Sequence, residues 1–349
     1  MRVFAMLLLA SAGCSAANSA DPKYTHEQCQ RIALKTSPEA PSIVGAEDLA
    51  FDRSSGMIYI SAYDRRATEK AMSRRKAHIP SGNIYAVSIS AFEQGKSDVL
   101  VTPVLEEENF KGGLRPHGLT YADNKLVFVN RAAFHNKKKW QKKTQLVSVD
   151  LGKTPLRISI HETHCAANDV VLDGEETLYS IDHKSCGGGA FWEDLFNLKR
   201  SGIHKNNASL IEGVQFANGL AQVKETNFAL AATRAKEILI FDKDGMRLEA
   251  IELSGGPDNL SVSSNGDLVA AVHPSLMRMG LYRKLGIGKA ASKIIRVNLE
   301  TGAETLLFED KKGDVFSGAT IGIEEEKLLI AGSVLDSGVL VCNTKGTNP

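Results

Sequence analysis

Gly45-Ala46-Glu47-Asp48-Leu49, with the apolar strand, turn and second apolar strand that follow it, decides the reading of this chain because the unit recurs. A polar side chain, one small or acidic residue and an apolar run return at His117-Gly118-Leu119, Asn168-Asp169-Val170, Asn218-Gly219-Leu220, Asp258-Asn259-Leu260 and Ser317-Gly318-Ala319. The first residues lie 70, 51, 50, 40 and 59 positions apart, in or somewhat above the range of propeller blades. The expected fold is all-β, a six-bladed β-propeller closed by its N- and C-terminal segments, forming one domain over residues 21–349. Further strand-like runs at 83–89, 145–150, 236–242, 293–299 and 337–342 supply outer strands, with turn signals such as Lys243-Asp244-Gly245 between them.

The shared register carries a chemical expectation. If all six strands start at one end of a central channel, Glu47, Asn168, Asn218 and Asp258 meet there with Asn259 one position on. Two carboxylates and three amides gathered in a semi-buried place are costly unless a cation sits among them. An all-oxygen set of this kind suits calcium better than zinc.

Three segments break the spacing, at 63–81, 182–200 and 273–288, and each leaves the second strand of an inner hairpin, so all three fall on the rim of the polar cluster. The last, with Leu276, Met277, Met279, Leu281 and Tyr282, is expected to form a short helix over the channel mouth. The face as a whole is therefore the expected binding site.

With 349 residues, 43% apolar content and a formal net charge of +1, the chain can bury a large core and shows no bulk bias toward nucleic acid or membranes. The basic run Lys137-Lys138-Lys139-Trp140-Gln141-Lys142-Lys143 is read as a solvated loop. Asn207-Ala208-Ser209 has the form of a glycosylation sequon. Residues 1–20, with Arg2, an apolar run and then small residues, read as a secretory signal. Leu9 to Cys14 also loosely resembles a lipoprotein site, which would make a lipidated Cys14 the one route to a membrane. The expected location is secreted or periplasmic, where cysteines pair. Cys29 and Cys342 stand where a ring must fasten its ends, and Cys165 and Cys186 bracket the third inner hairpin. No phosphate-binding loop or G-x-S-x-G elbow is present, and His161-Glu162-Thr163-His164 is one residue short of a zinc-protease motif.

From Cys29 to Cys342 the segments, terminal cysteines and histidines resemble the paraoxonase and arylesterase branch of the calcium-dependent six-bladed propellers, relatives of gluconolactonase and regucalcin. Gly45-Ala46-Glu47-Asp48-Leu49, Pro116-His117-Gly118, Asn168-Asp169-Val170, Phe216-Ala217-Asn218-Gly219, Asp258-Asn259-Leu260-Ser261-Val262 and Val272-His273-Pro274 carry the likeness. It implies two calcium ions. Glu47, Asn168, Asn218, Asp258 and Asn259 would hold a catalytic one, and Asp48, Asp169 and the backbone carbonyl of Leu119 a deeper structural one. It implies hydrolysis of a small-molecule lactone or aryl ester, with His117 as general base. Where paraoxonases carry a second histidine this chain has Asn130-Arg131, so Arg131 is expected to orient a carbonyl or carboxylate, with His183 or His273 assisting. Hydrolysis of sugar lactones or phosphotriesters, or a calcium-stabilised propeller that binds without turnover, are the alternatives.

Overall fold

Alternating Ile, Val, Leu and Ala in short runs, punctuated by turns, fold in the computed structural model into six sheets, five of four antiparallel strands and one that carries a fifth strand in parallel at its edge. The structure describes residues 21–136, 139–224 and 226–344; the signal and the Cys14 anchor lie outside them. The inner strands are Ala46–Asp52, Pro116–Ala122, Ala167–Asp173, Ala217–Val223, Gly256–Val262 and Ala319–Glu325. Leu49, Leu119, Val170, Leu220, Leu260 and Ile323, one from each blade, line a single cavity of about 340 Å³. All six strands therefore run side by side down one channel.

The ring closes as a mixed blade. Cys29–Lys35 pairs antiparallel with Val339–Asn343, the third strand of the sixth sheet, setting Cys29 opposite Cys342, and the two sulfurs are bonded. Its other end pairs in parallel with Asp98–Leu100. Cys165 and Cys186 are bonded as well, at the ends of the hairpin that turns between Asp173 and Glu176. The core lies between blades. Ile32, Ile58, Ile60, Ile321 and Ile330, all fully buried, form one such cluster, each side chain contributing roughly 1.5–3 kcal/mol by leaving water.

All three insertions contain helices on one rim. α1, Arg65–Ser73, is capped by Asp64, whose carboxylate accepts the Ala67 N–H at 2.8 Å. α2, Gly188–Leu195, is tied back through Glu193, which accepts the N–H groups of Lys184 and Ser185. α3, Leu276–Leu285, starts at the Ser275 cap and ends at Gly286 in the left-handed region. It buries Met279 and Tyr282 against Ala290, Val334 and Leu335, while Met277 and Leu281 stay exposed. Arg66 of α1 stacks on the Tyr282 ring and donates to its carbonyl, joining two of the lids.

Two expectations are corrected. From Lys139 on the basic run is strand, not loop: Lys139–Asp150 is a twelve-residue strand paired along its length with Lys125–Asn136, half-exposed where the lysines fall. In the sixth repeat the position equivalent to Glu47 is Thr320, three residues later than Ser317. Gly318 has φ +64°, so the strand has not begun there, and the Ser317 hydroxyl serves the framework, donating to the Ala290 carbonyl at 3.2 Å. Thr320 takes the place at the channel.

Candidate active site

Every inner hairpin breaks register near its start, between Ala46 and Asp48, Pro116 and Leu119, Ala167 and Val170, Ala217 and Leu220, Pro257 and Leu260, and Ala319 and Ile321. A bulge relaxes strict alternation, so consecutive residues can be aimed toward the same side. Glu47 and Asp48, Asn168 and Asp169, and Asp258 and Asn259 are accordingly buried pairs. The crowding is relieved by glycine in alternate blades: a Cβ on Gly118 would stand 2.5 Å from the Asp169 Cα, and one on Gly219 2.5 Å from the Asn259 Cα.

Glu47, His117, Asn168, Asn218, Asp258, His273 and Thr320 line one cavity of about 150 Å³, roofed by Leu276, Met279 and Arg283 of α3. Asn218 donates to Asp258 at 2.5 Å, and Asn168 donates to Asp182. Asn259 donates its amide to the Glu47 carbonyl at 3.2 Å, and Thr320 donates to the same oxygen at 2.7 Å. The Asn259 Oδ1 is buried without a partner.

Along each strand the next position lies between this cavity and the one at the opposite end, lined by Leu49 and Val170. Asp48 and Asp169 occupy it. Asp48 accepts the N–H groups of Leu49 at 2.9 Å and Leu119 at 2.7 Å; Asp169 accepts those of Val170 at 2.7 Å and Leu220 at 2.6 Å. Neither has a cationic side-chain partner among the described residues. Burial pushes Asp169 up to about 7 and Asp48 well above the usual carboxylate range, with the neighbouring carboxylates adding to it. Leu119 thus meets this set through its N–H.

An unpaired amide oxygen and two buried carboxylates without counter-charge fit a hard divalent cation. The donors are oxygen throughout. Elsewhere, His164, Cys165 and Cys186 come close enough to share a metal, but the sulfurs are bonded to each other.

His117 is held at Nδ1 by the Glu47 carboxylate, with Arg65 Nη2 at 3.2 Å, while Nε2 has no hydrogen-bond partner among the described residues. Burial pushes the imidazole well below its ordinary value, and the charges of Arg131 and Arg283 push the same way. His273 donates or accepts through Nε2 with Asp258 at 2.7 Å, and its Nδ1 is buried unpaired. Arg131 bonds the Thr144 hydroxyl at 3.2 Å and the Cys165 carbonyl at 3.3 Å, in an adjoining chamber. His183 pairs with Asp194 of α2 at 3.0 Å and packs edge-on against Phe216, outside the lining of either cavity. Of the candidate histidines, His117 and His273 share the mouth.

The family model for arylesterases matches residues 105–343. The chain belongs to the arylesterase family. Membership supports a hydrolase of the esterase or lactonase type, and two disulfides in an arylesterase suit an oxidising compartment outside the cytosol. No curated protein matches the chain in sequence at a significant level. Among solved structures, a gluconolactonase from Xanthomonas campestris is 12% identical with a TM-score of 0.52, covering 93% of this chain and 95% of that one. A luciferin-regenerating enzyme is 11% identical at 0.51, covering 90% and 94%, and a putative gluconolactonase 11% identical at 0.50, covering 90% and 91%. At such identities these similarities bear on the fold alone.

Arg65, Asp182, Arg283 and Thr320 were not legible as site residues. The arginines and Asp182 belong to insertions whose path nothing local dictates, and Thr320 was hidden by the misplaced sixth repeat.

Proposed function

We propose that this arylesterase is a calcium-dependent hydrolase of lactones or aryl esters. The single observation that supports this most is the gathering of Glu47, Asn168, Asn218 and Asp258 with His117 around one cavity, with the Asn259 Oδ1 left unpaired beside it. Glu47, Asn168, Asn218, Asp258 and Asn259 would hold one ion, and Asp48, Asp169 and the Leu119 carbonyl a second. Bound calcium supplies a Lewis acid that favours negative charge on a carbonyl oxygen.

The chain's own residues do the rest. The Glu47 carboxylate fixes the His117 ring through Nδ1, leaving Nε2 to take a proton from water as it attacks. Asp258 orients His273 at the same mouth. α1 and α3, clamped together by Arg66 and Tyr282, narrow the entrance and limit bulk water.

A panel of lactones and aryl esters assayed with calcium, with chelator and with calcium restored tests the reading, with His117→Ala as control. Turnover should vanish with chelator and return with calcium, and His117→Ala should abolish most turnover while calcium still raises the thermal midpoint. Full rate in His117→Ala removes that residue from the mechanism. A protein stabilised by calcium that hydrolyses nothing in the panel would be a binding propeller.

A further inference from the structure

Beside the mouth lies a second chamber of about 210 Å³, which shares His117 and Arg283 with the first. Its charge is one-sided. Arg65, Arg115, Arg131, Lys142, Lys143 and Arg283 line it against two carboxylates, Glu69 and Asp182. These cations come from α1, the approach to the second inner strand, the long hairpin and α3, so no local sequence pattern assembles them.

Most of this charge is not spent within the protein. Arg115 donates to the carbonyls of Pro80, Gly112 and Arg131, and Arg131 to Thr144 and the Cys165 carbonyl; neutral acceptors satisfy hydrogen bonds without cancelling charge. Arg65 is 6% exposed, and its Nε is buried with no partner. Arg283 and Lys142 have no hydrogen-bond or ion-pair partner among the described residues. The guanidinium groups also disfavour one another: burial and then the charges of Arg65 and Arg283 act to lower Arg131, brought down to about 10 with Asp182 opposing, and the Arg65 charge is the chief cause lowering Arg283. With two divalent ions bound as proposed above, Glu47, Asp48, Asp169 and Asp258 would be balanced by the metals and would not offset these cations. Lys143 is matched by Glu162 at 2.7 Å, and Arg65 faces Glu47 at 3.6 Å.

We infer that this chamber is an anion subsite, and that the substrate is an ester or lactone carrying a carboxylate, held by Arg283, Arg131 and Lys142 while the scissile carbonyl lies by His117. The nature of the anion's attachment rests on the hydrolase reading; the subsite itself does not. Arg283 is the decisive group, since it borders both chambers and its replacement breaks no hydrogen bond or ion pair among the described residues.

The test compares a γ-lactone bearing a ring carboxylate with the same lactone bearing a primary carboxamide, which differ in charge and hardly in shape. The carboxylate should be preferred in kcat/KM by about tenfold or more, chiefly through KM, as expected for charge-assisted hydrogen bonds from several cations in a partly open chamber. Arg283→Gln should cut that preference about tenfold and Lys142→Gln severalfold, with correct folding verified by each variant's calcium-dependent rise in thermal midpoint. In parallel, butanesulfonate, an anion with little affinity for calcium, should bind the calcium-loaded wild type and bind Arg283→Gln more weakly by calorimetry. Equal kcat/KM for the two lactones, or sulfonate binding untouched by both variants, overturns the subsite. Sulfonate binding lost in Arg283→Gln with neither lactone hydrolysed keeps the subsite and overturns the hydrolase reading instead.

Discussion

Replacing Cys29 and Cys342 by serine tests how the ring is held. The two residues are 313 positions apart, whereas Cys165 and Cys186 are 21 apart. In the loop-entropy account, a cross-link stabilises by restricting the unfolded chain, by about 6 kcal/mol for the long closure and about 3 kcal/mol for the short one. The difference, about 2.4 kcal/mol, follows from the ratio of loop lengths alone. At a urea m-value of about 3 kcal/mol/M, Cys29→Ser/Cys342→Ser should lower the midpoint by about 2 M and Cys165→Ser/Cys186→Ser by about 1 M. Strand Cys29–Lys35 keeps its four-residue pairing with Val339–Asn343 in the serine variant, so the propeller still forms in water. Because the mouth residues come from separate blades, activity should be lost along the same urea curve as structure. A long-closure variant no less stable than the short-closure one would refute the reasoning, as would activity surviving past its unfolding midpoint.

Asn259→Ala should weaken calcium binding at least about tenfold, since even outer-shell partners of a metal commonly cost 10–100-fold; calcium titration of the thermal midpoint reads it, where 100 times Kd gives about 2.7 kcal/mol in the wild type. His117→Ala should lower kcat/KM by about 10²–10⁴-fold with calcium affinity nearly intact, measured by the same titration and by lactone turnover. For His183, burial works against the proton, but the hydrogen bond to Asp194 and the charge of Asp182 outweigh it and raise the pKa. A raised folded value means that the pair's contribution is complete below the ordinary histidine range near about 6.5 and fades as pH rises through the folded value. The stability gap between wild type and His183→Gln should therefore be wide at about pH 5.5 and narrow by about pH 8.5; a gap that widens with pH would contradict it.

What the chain determined by itself is whatever repeats locally. Alternation and turns make strands, six similar units make a ring, and a common register puts Glu47, Asn168, Asn218, Asp258 and His117 at one end, all before any contact is known. The cysteine positions foretold both bonds for the same reason, being set by where strands begin and end. Tertiary structure decided the rest. The bulges that bury Asp48 beside Glu47 and Asn259 beside Asp258 arise from pairing with a partner strand, and the sixth repeat slid to Thr320 because Gly318 delays its strand. His273 meets Asp258 through the pairing of Gly256–Val262 with Leu268–His273, and His183 meets Asp194 only because α2 folds back over the rim. The cationic chamber is the extreme case: charges separated by up to 218 positions converge there through helix packing and one long hairpin, and neither leaves a periodic trace in the sequence.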